Sequence, residues 1–349
     1  QLCYSKDSVR EKLAEEVAVY AENHPETDVI HFWLADDYNN ACECPDCAKK
    51  TFSDWYVMIL NRIDEKLTER HIDTKICFLV YFELYWAPQS ERIVHEDRFI
   101  MMFAPLFRSY TRSFGNSSCG KRLVYKKNKT EYPTDPGVYL NFWRDWKKIF
   151  HGDTFEDVRS LKKLGMNGFM SCQLQRAFYP NGLPFYLLGR ALADKDETLI
   201  NIRRTYYSAA FGKYAPFAEE AYGMLEKYVP FPYVREETGG SEYISLLETG
   251  REKIKETLRA MPEEKDSEVV SVSLSLLEFA LRNTLGIVEC LIMKANGADP
   301  DSLEKEEKKR MEFFNRNEKK FQPYVDGFYF NMITEGIVKS EKIGIYAGD

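Results

Sequence analysis

The sequence predicts an α/β protein in which a parallel sheet gives way to an all-helical region. Two observations carry that expectation. Apolar runs over 29–35, 76–82, 99–107 and 168–172 alternate with stretches of helical spacing, and that order builds parallel sheets covered on both faces. From about Leu183 onward strand signals nearly vanish and helical segments follow one another. The chain therefore divides into an α/β portion, 1–182, and a helical C-terminal region, 183–349.

The first helix is expected at Ser8, which forms a capping box with Glu11 ahead of an apolar stripe at Val9, Leu13, Val17 and Tyr20. Leu2-Cys3-Tyr4 before it has the look of a strand end, as if the chain opened in mid-domain. The run 29–35 reads as a strand buried on both faces. It ends in two adjacent carboxylates, Asp36 and Asp37. Ser53-Asp54 starts a helix with apolar positions at Tyr56, Ile59, Leu60, Ile63 and Leu67. A strand over 76–82, a short helical signal over 90–95 and a strand over 99–107 follow. The stretch 115–137 is poor in apolar residues and rich in turn formers, so it reads as a surface excursion. Helical spacing returns at Tyr139, Phe142, Trp143, Trp146, Ile149 and Phe150. A short helix over 155–164 stops at Gly165 and leads into the strand 168–172. The helical region is expected as 183–192, 198–211, 216–228, 242–261, 267–295, 301–321 and 325–337.

Composition narrows the function classes. With 44% hydrophobic and 30% charged residues among 349, the chain is globular and not disordered. A net charge of −7 argues against nucleic acid as a partner. No apolar run reaches the ~20 residues of a membrane span. Aromatic content of 14% suits a sugar-stacking cleft and a well-filled core equally. No leader is expected from Gln1-Leu2-Cys3 running into the first helix, and the eight cysteines do not demand a disulfide framework. These features favour the cytoplasm while leaving the compartment and oligomeric state open. Cys77, Cys172 and Cys290 lie in apolar segments as small core residues. Two sequons, at Asn116 and Asn128, matter only in a secreted eukaryotic chain.

Chemistry is expected where strands end, because the active groups of β/α units gather at C-terminal strand edges. Asp36, Asp37 and Glu83 stand there and are the candidate catalytic carboxylates. Glycoside hydrolysis needs two such groups, ~5 Å apart for retention and ~6.5–9.5 Å for inversion. Each could equally cap a helix or pair with a base. Tyr81, Tyr85 and Trp86 flank Glu83 as a stacking platform or as core. Gln173 and Arg176 follow the fourth strand, and the planar fork of Arg176 would match a uronic-acid carboxylate or a loop acid. His31, among apolar residues, is expected as a hydrogen-bonded core histidine. Cys42, Cys44 and Cys47 supply three thiols, one short of a closed zinc site. His31, Asp46 or a distant cysteine could complete it, whereas a disulfide or free thiols would simply pack the loop. The expectation is no catalytic metal and no cofactor. No phosphate-binding glycine loop, nucleophile elbow or basic patch is present.

Trp33-Leu34-Ala35-Asp36, Cys42-Glu43-Cys44, Cys47 and Ser53-Asp54-Trp55-Tyr56, with the run from Gly165 to Arg176, Pro180 and Gly182-Leu183-Pro184, resemble a bacterial family still classed as a domain of unknown function, DUF4838. Tyr206-Tyr207 and Phe211-Gly212 are similar to the helical segment after the barrel in α-glucuronidases and N-acetylhexosaminidases. The resemblance covers roughly residues 1–230. It implies a TIM-type (β/α)8 barrel, represented here by its C-terminal part, followed by helices. It also implies action on a carbohydrate, with uronic-acid- and N-acetylhexosamine-containing glycans the candidates. The alternative it leaves is a glycan-binding or interaction protein that keeps the barrel without the chemistry. In the family a further strand bearing a Glu and a His comes between the positions matching Asp153 and Glu156, and this chain lacks it.

Overall fold

The computed structural model describes residues 1–36, 38–108, 118–150, 176, 178–194, 196–229, 241–264 and 267–339. The chain forms two units, Gln1–Met170 and Ser171–Asp349.

The first unit is built on a three-stranded parallel sheet in the order β1-β2-β3, comprising β1 (Val29–Phe32), β2 (Lys75–Val80) and β3 (Phe99–Phe103). Helix α1 (Asp7–Asn23) starts one residue before Ser8, with Lys6 at the cap and no side-chain cap bond. The expected Ser8–Glu11 box therefore does not form, and Asp7 supplies the negative charge of the first turn. Residues 1–3 are irregular and not a strand end. β1 is shorter than the apolar run and half-buried, with His31 exposed. It flanks only β2 among the described strands, and apolar composition cannot distinguish such an edge from a central strand. His31 packs edge-on to the exposed ring of Trp33 at 5.5 Å and is not a core histidine.

Helix α2 (Phe52–Glu69) follows a capping box formed by Thr51 and Asp54. Its buried face carries Trp55, Tyr56, Ile59, Leu60, Ile63 and Leu67, each worth about 1.5–3 kcal/mol when removed from water. The Tyr56 hydroxyl donates to the Phe32 carbonyl at 2.5 Å and accepts the Leu79 N–H at 3.3 Å, tying α2 to β1 and β2. β2 is the buried strand, every residue from Ile76 to Val80 being withdrawn from solvent. The 90–95 signal is not helical, and a short 3-10 turn at Glu96–Arg98 precedes β3 instead. Arg98 and His95 both meet the buried Asp64 of α2, at 3.0 and 2.6 Å. Helix α3 (Pro136–Lys147) places Trp146 against Phe78, and its indole donates to the Leu84 carbonyl at 2.8 Å.

The sheet is parallel, as alternating elements predict, but three described strands do not show the barrel that the resemblance implies. The expected helix over 155–164 and strand over 168–172 lie outside the described residues.

Among the described residues the second unit is helical, comprising α4 (Leu183–Ala193), α5 (Leu199–Phe211), α6 (Ala215–Tyr228), α7 (Ser241–Arg259), α8 (Glu268–Ala295), α9 (Pro300–Phe321) and α10 (Gly327–Lys339). Its boundaries fall within about two residues of the expected ones because local chemistry sets them. Thr198, Ser267 and Asp299 each cap a helix by accepting a backbone N–H three residues on. Helix α8 supplies the core residues Leu274, Leu277, Leu281, Val288 and Leu291. At its seam with α9, Gly286 lets Arg310 approach, and a Cβ there would lie 2.8 Å from the Arg310 Cγ. Arg310 pairs with Glu307 at 2.7 Å, both side chains buried. No described helix is long and apolar enough to cross a membrane.

Candidate functional site

β1 and β2 run parallel, so the segments that follow them emerge at the same edge of the sheet. Asp36 stands four residues past the end of β1 and is exposed. Tyr81, just past β2, donates its hydroxyl to Asp36 Oδ1 at 2.7 Å. Glu83 lies one turn on, in a 3-10 helix (Phe82–Tyr85), and is only 4% exposed. The structure thus brings Asp36, Tyr81 and Glu83 to one strand edge, although neither acid terminates its strand directly. Asp37 lies outside the described residues.

The Glu83 carboxylate accepts the backbone N–H of Asn39. Asn39 is left-handed at φ 55°, and so is Phe82, the residue before Glu83, at φ 50°. Asparagine adopts this region readily, whereas phenylalanine does so at a cost of about 1–3 kcal/mol. Beside Glu83 lies a cluster of rings. Tyr38, Phe82, Phe107 and Tyr132 pack with centroids 5.0–6.0 Å apart. Burial, and then the Glu83 charge, push the Tyr125 phenol up to about 12 and raise Tyr132 as well.

The loop between β1 and α2 is strapped at two further points. Asn39 and Thr130 exchange bonds, Asn39 Nδ2 donating to the Thr130 carbonyl at 3.2 Å and Thr130 N–H donating back at 3.0 Å. Asn128 does the same for Ala41, with both bonds at 2.8 Å, and also donates to Glu43. The second sequon therefore has its amide engaged, while Asn116 lies outside the described residues.

Of the other expected substrate residues, Tyr85 and Trp86 belong to the first unit. Tyr85 is fully buried, its hydroxyl donating to the Ala104 carbonyl at 2.7 Å, so it belongs to the core. Trp86 donates to the Leu123 carbonyl and lines a groove of about 260 Å³ with Arg122, Asn141, Phe142 and Asp145. Neither Asp36 nor Glu83 lines that groove. Arg176 belongs to the helical unit, where it pairs with Asp326, an acid in the loop before α10. Gln173 lies outside the described residues.

The same loop also carries a group of thiols. Cys42, Cys44 and Cys47 meet Cys3, and the four sulfur atoms lie within 4.8 Å of one another. The fourth thiol that local spacing lacks is thus the distant cysteine. Its signal was only that a cysteine sat near the chain start, since pairing at that separation leaves no local pattern. All four are free thiols. The Cys47 N–H and then the Ser5 hydroxyl draw Cys44 down to about 6. For Cys42 the Cys44 N–H acts downward but is outweighed by the neighbouring thiols and burial, which push it up to about 11.

Comparison with protein-family models, with curated proteins and with solved structures finds no match.

Proposed function

We propose that this chain is a glycoside hydrolase-like protein, acting on a uronic-acid- or N-acetylhexosamine-containing glycan from the edge of a (β/α)8 barrel. One observation carries the reading: Asp36 and Glu83 follow adjacent parallel strands and belong to the same edge. Glycoside hydrolysis uses carboxyls ~5 Å apart for retention and ~6.5–9.5 Å apart for inversion, a range that loops after neighbouring strands ~4.8 Å apart can span. Asp36, exposed and oriented by Tyr81, is the acid or base that meets the sugar. Glu83 is the second carboxyl, held at the edge by the Asn39 N–H. Asp37 is the remaining candidate on the same loop. Tyr81, bonded to Asp36 at that edge, is a further sugar contact.

A second reading, a glycan-binding protein without catalysis, is favoured by the burial of Glu83 and its use as a loop anchor. A panel of aryl glycosides that includes uronosides and N-acetylhexosaminides separates the two. Turnover of one class supports the hydrolase. Saturable glycan binding without turnover establishes the binding protein, and neither activity contradicts both.

A further inference from the structure

We propose that Cys3, Cys42, Cys44 and Cys47 bind one zinc ion in a closed four-thiolate site that fixes the loop between β1 and α2. The sulfur geometry is the first support. Cys3 Sγ lies 3.6 Å from Cys44 Sγ and 3.7 Å from Cys47 Sγ. A tetrahedron with Zn–S bonds of about 2.3 Å has edges of about 3.8 Å, close to those separations. A disulfide requires about 2.05 Å, so these thiols are not bonded pairs drawn slightly apart.

The backbone gives independent support. The Cys47 N–H points at Cys44 Sγ and the Ser5 N–H at Cys47 Sγ, each at 3.4 Å. Amide donors aimed at sulfur offset thiolate charge and fix ligand orientation, as the outer partners of metal ligands do. The Ala48 N–H closes onto the Cys44 carbonyl at 3.1 Å, folding Cys44-Pro45-Asp46-Cys47 into a tight turn that presents both sulfurs together. Free thiols that merely packed a loop would need neither four convergent sulfurs nor amides directed at them.

Four protein ligands leave no open coordination position, so the site is structural and not catalytic. Each thiol yields its proton to solvent as the metal binds. The ion joins the segment before α1 to the loop that carries Asp36 and Asn39. Asn128 pins that loop at Ala41, between the metal and the strand edge.

The test is metal analysis of the full chain purified under reducing conditions, with cobalt substitution as the spectroscopic readout. We expect one zinc per chain and, after exchange, the intense visible bands and thiolate charge transfer of tetrahedral four-sulfur cobalt. Cys3→Ser should lower zinc content by more than about tenfold, since even outer partners of a ligand are worth that much. Cys119→Ser, at an exposed cysteine outside the cluster, should retain it. If Cys3→Ser does not fold, the cobalt spectrum of the unmodified chain decides. Iron in place of zinc, two disulfides by mass, a chain that takes up neither metal, or full zinc in a folded Cys3→Ser would each overturn the proposal.

Discussion

At the scale of the residue, burial decides what a carboxylate can be used for. Asp54 is buried and accepts four bonds, from Thr51 N–H at 3.1 Å, Thr51 Oγ1 at 2.7 Å, Ser90 N–H at 2.8 Å and Glu91 N–H at 3.0 Å. Burial opposes its ionisation, but the Thr51 hydroxyl and the surrounding amides outweigh it and hold the carboxyl below its ordinary range. Asp54→Ala should cost about 3 kcal/mol by urea unfolding at neutral pH, because the α2 cap and a buried acceptor are lost together. The folded pKa is the lower one, so this stability is present above the unfolded value near ~3.9 and fades as pH falls through the folded one. The gap between wild type and Asp54→Asn should accordingly narrow in acid. Glu307 presents the opposite case, an acid paired inside the helical unit. Glu307→Ala would leave Arg310 buried and uncompensated, at a cost of about 3–5 kcal/mol. Replacing both residues with methionine should restore most of the melting temperature.

At the scale of the element, helices were more legible than strands. Caps such as Thr198, Ser267 and Asp299 sit one residue from the helices they start, so short-range spacing finds them. The start of α1 is not legible in the same way, because Ser8 and Glu11 have capping-box spacing that the backbone does not use. β1 is shorter and less buried than its apolar run suggests, since the pairing that ends it at Phe32 comes from β2, more than forty residues away in sequence. The loop after β1 depends on equally distant partners. Asn128 holds it through the Ala41 N–H and carbonyl, and Thr130 through Asn39. Asn128→Ala should cost about 1–3 kcal/mol locally by leaving two backbone groups unpaired. Amide exchange at Ala41 would then quicken by at least about fivefold, while amides in β2 keep their protection.

At the scale of the molecule, a parallel sheet and a helical region were visible in hydrophobic periodicity, whereas the barrel came only from the resemblance and the three described strands do not show it. Asp36 and Glu83 could be put on one edge from sequence because parallel strands impose it. The bond from the Asn39 N–H to Glu83 could not, since it depends on the loop after β1 folding back over the edge. Cys3 and the rings of Tyr38, Phe107 and Tyr132 are likewise products of tertiary approach. The most direct test of the hydrolase reading is turnover of a confirmed glycoside by Asp36→Asn and Glu83→Gln, with folding verified by melting temperature. A fall of about a hundredfold or more in kcat/KM is expected for each, as when a general acid or base is lost. Near wild-type turnover by both folded variants would contradict it.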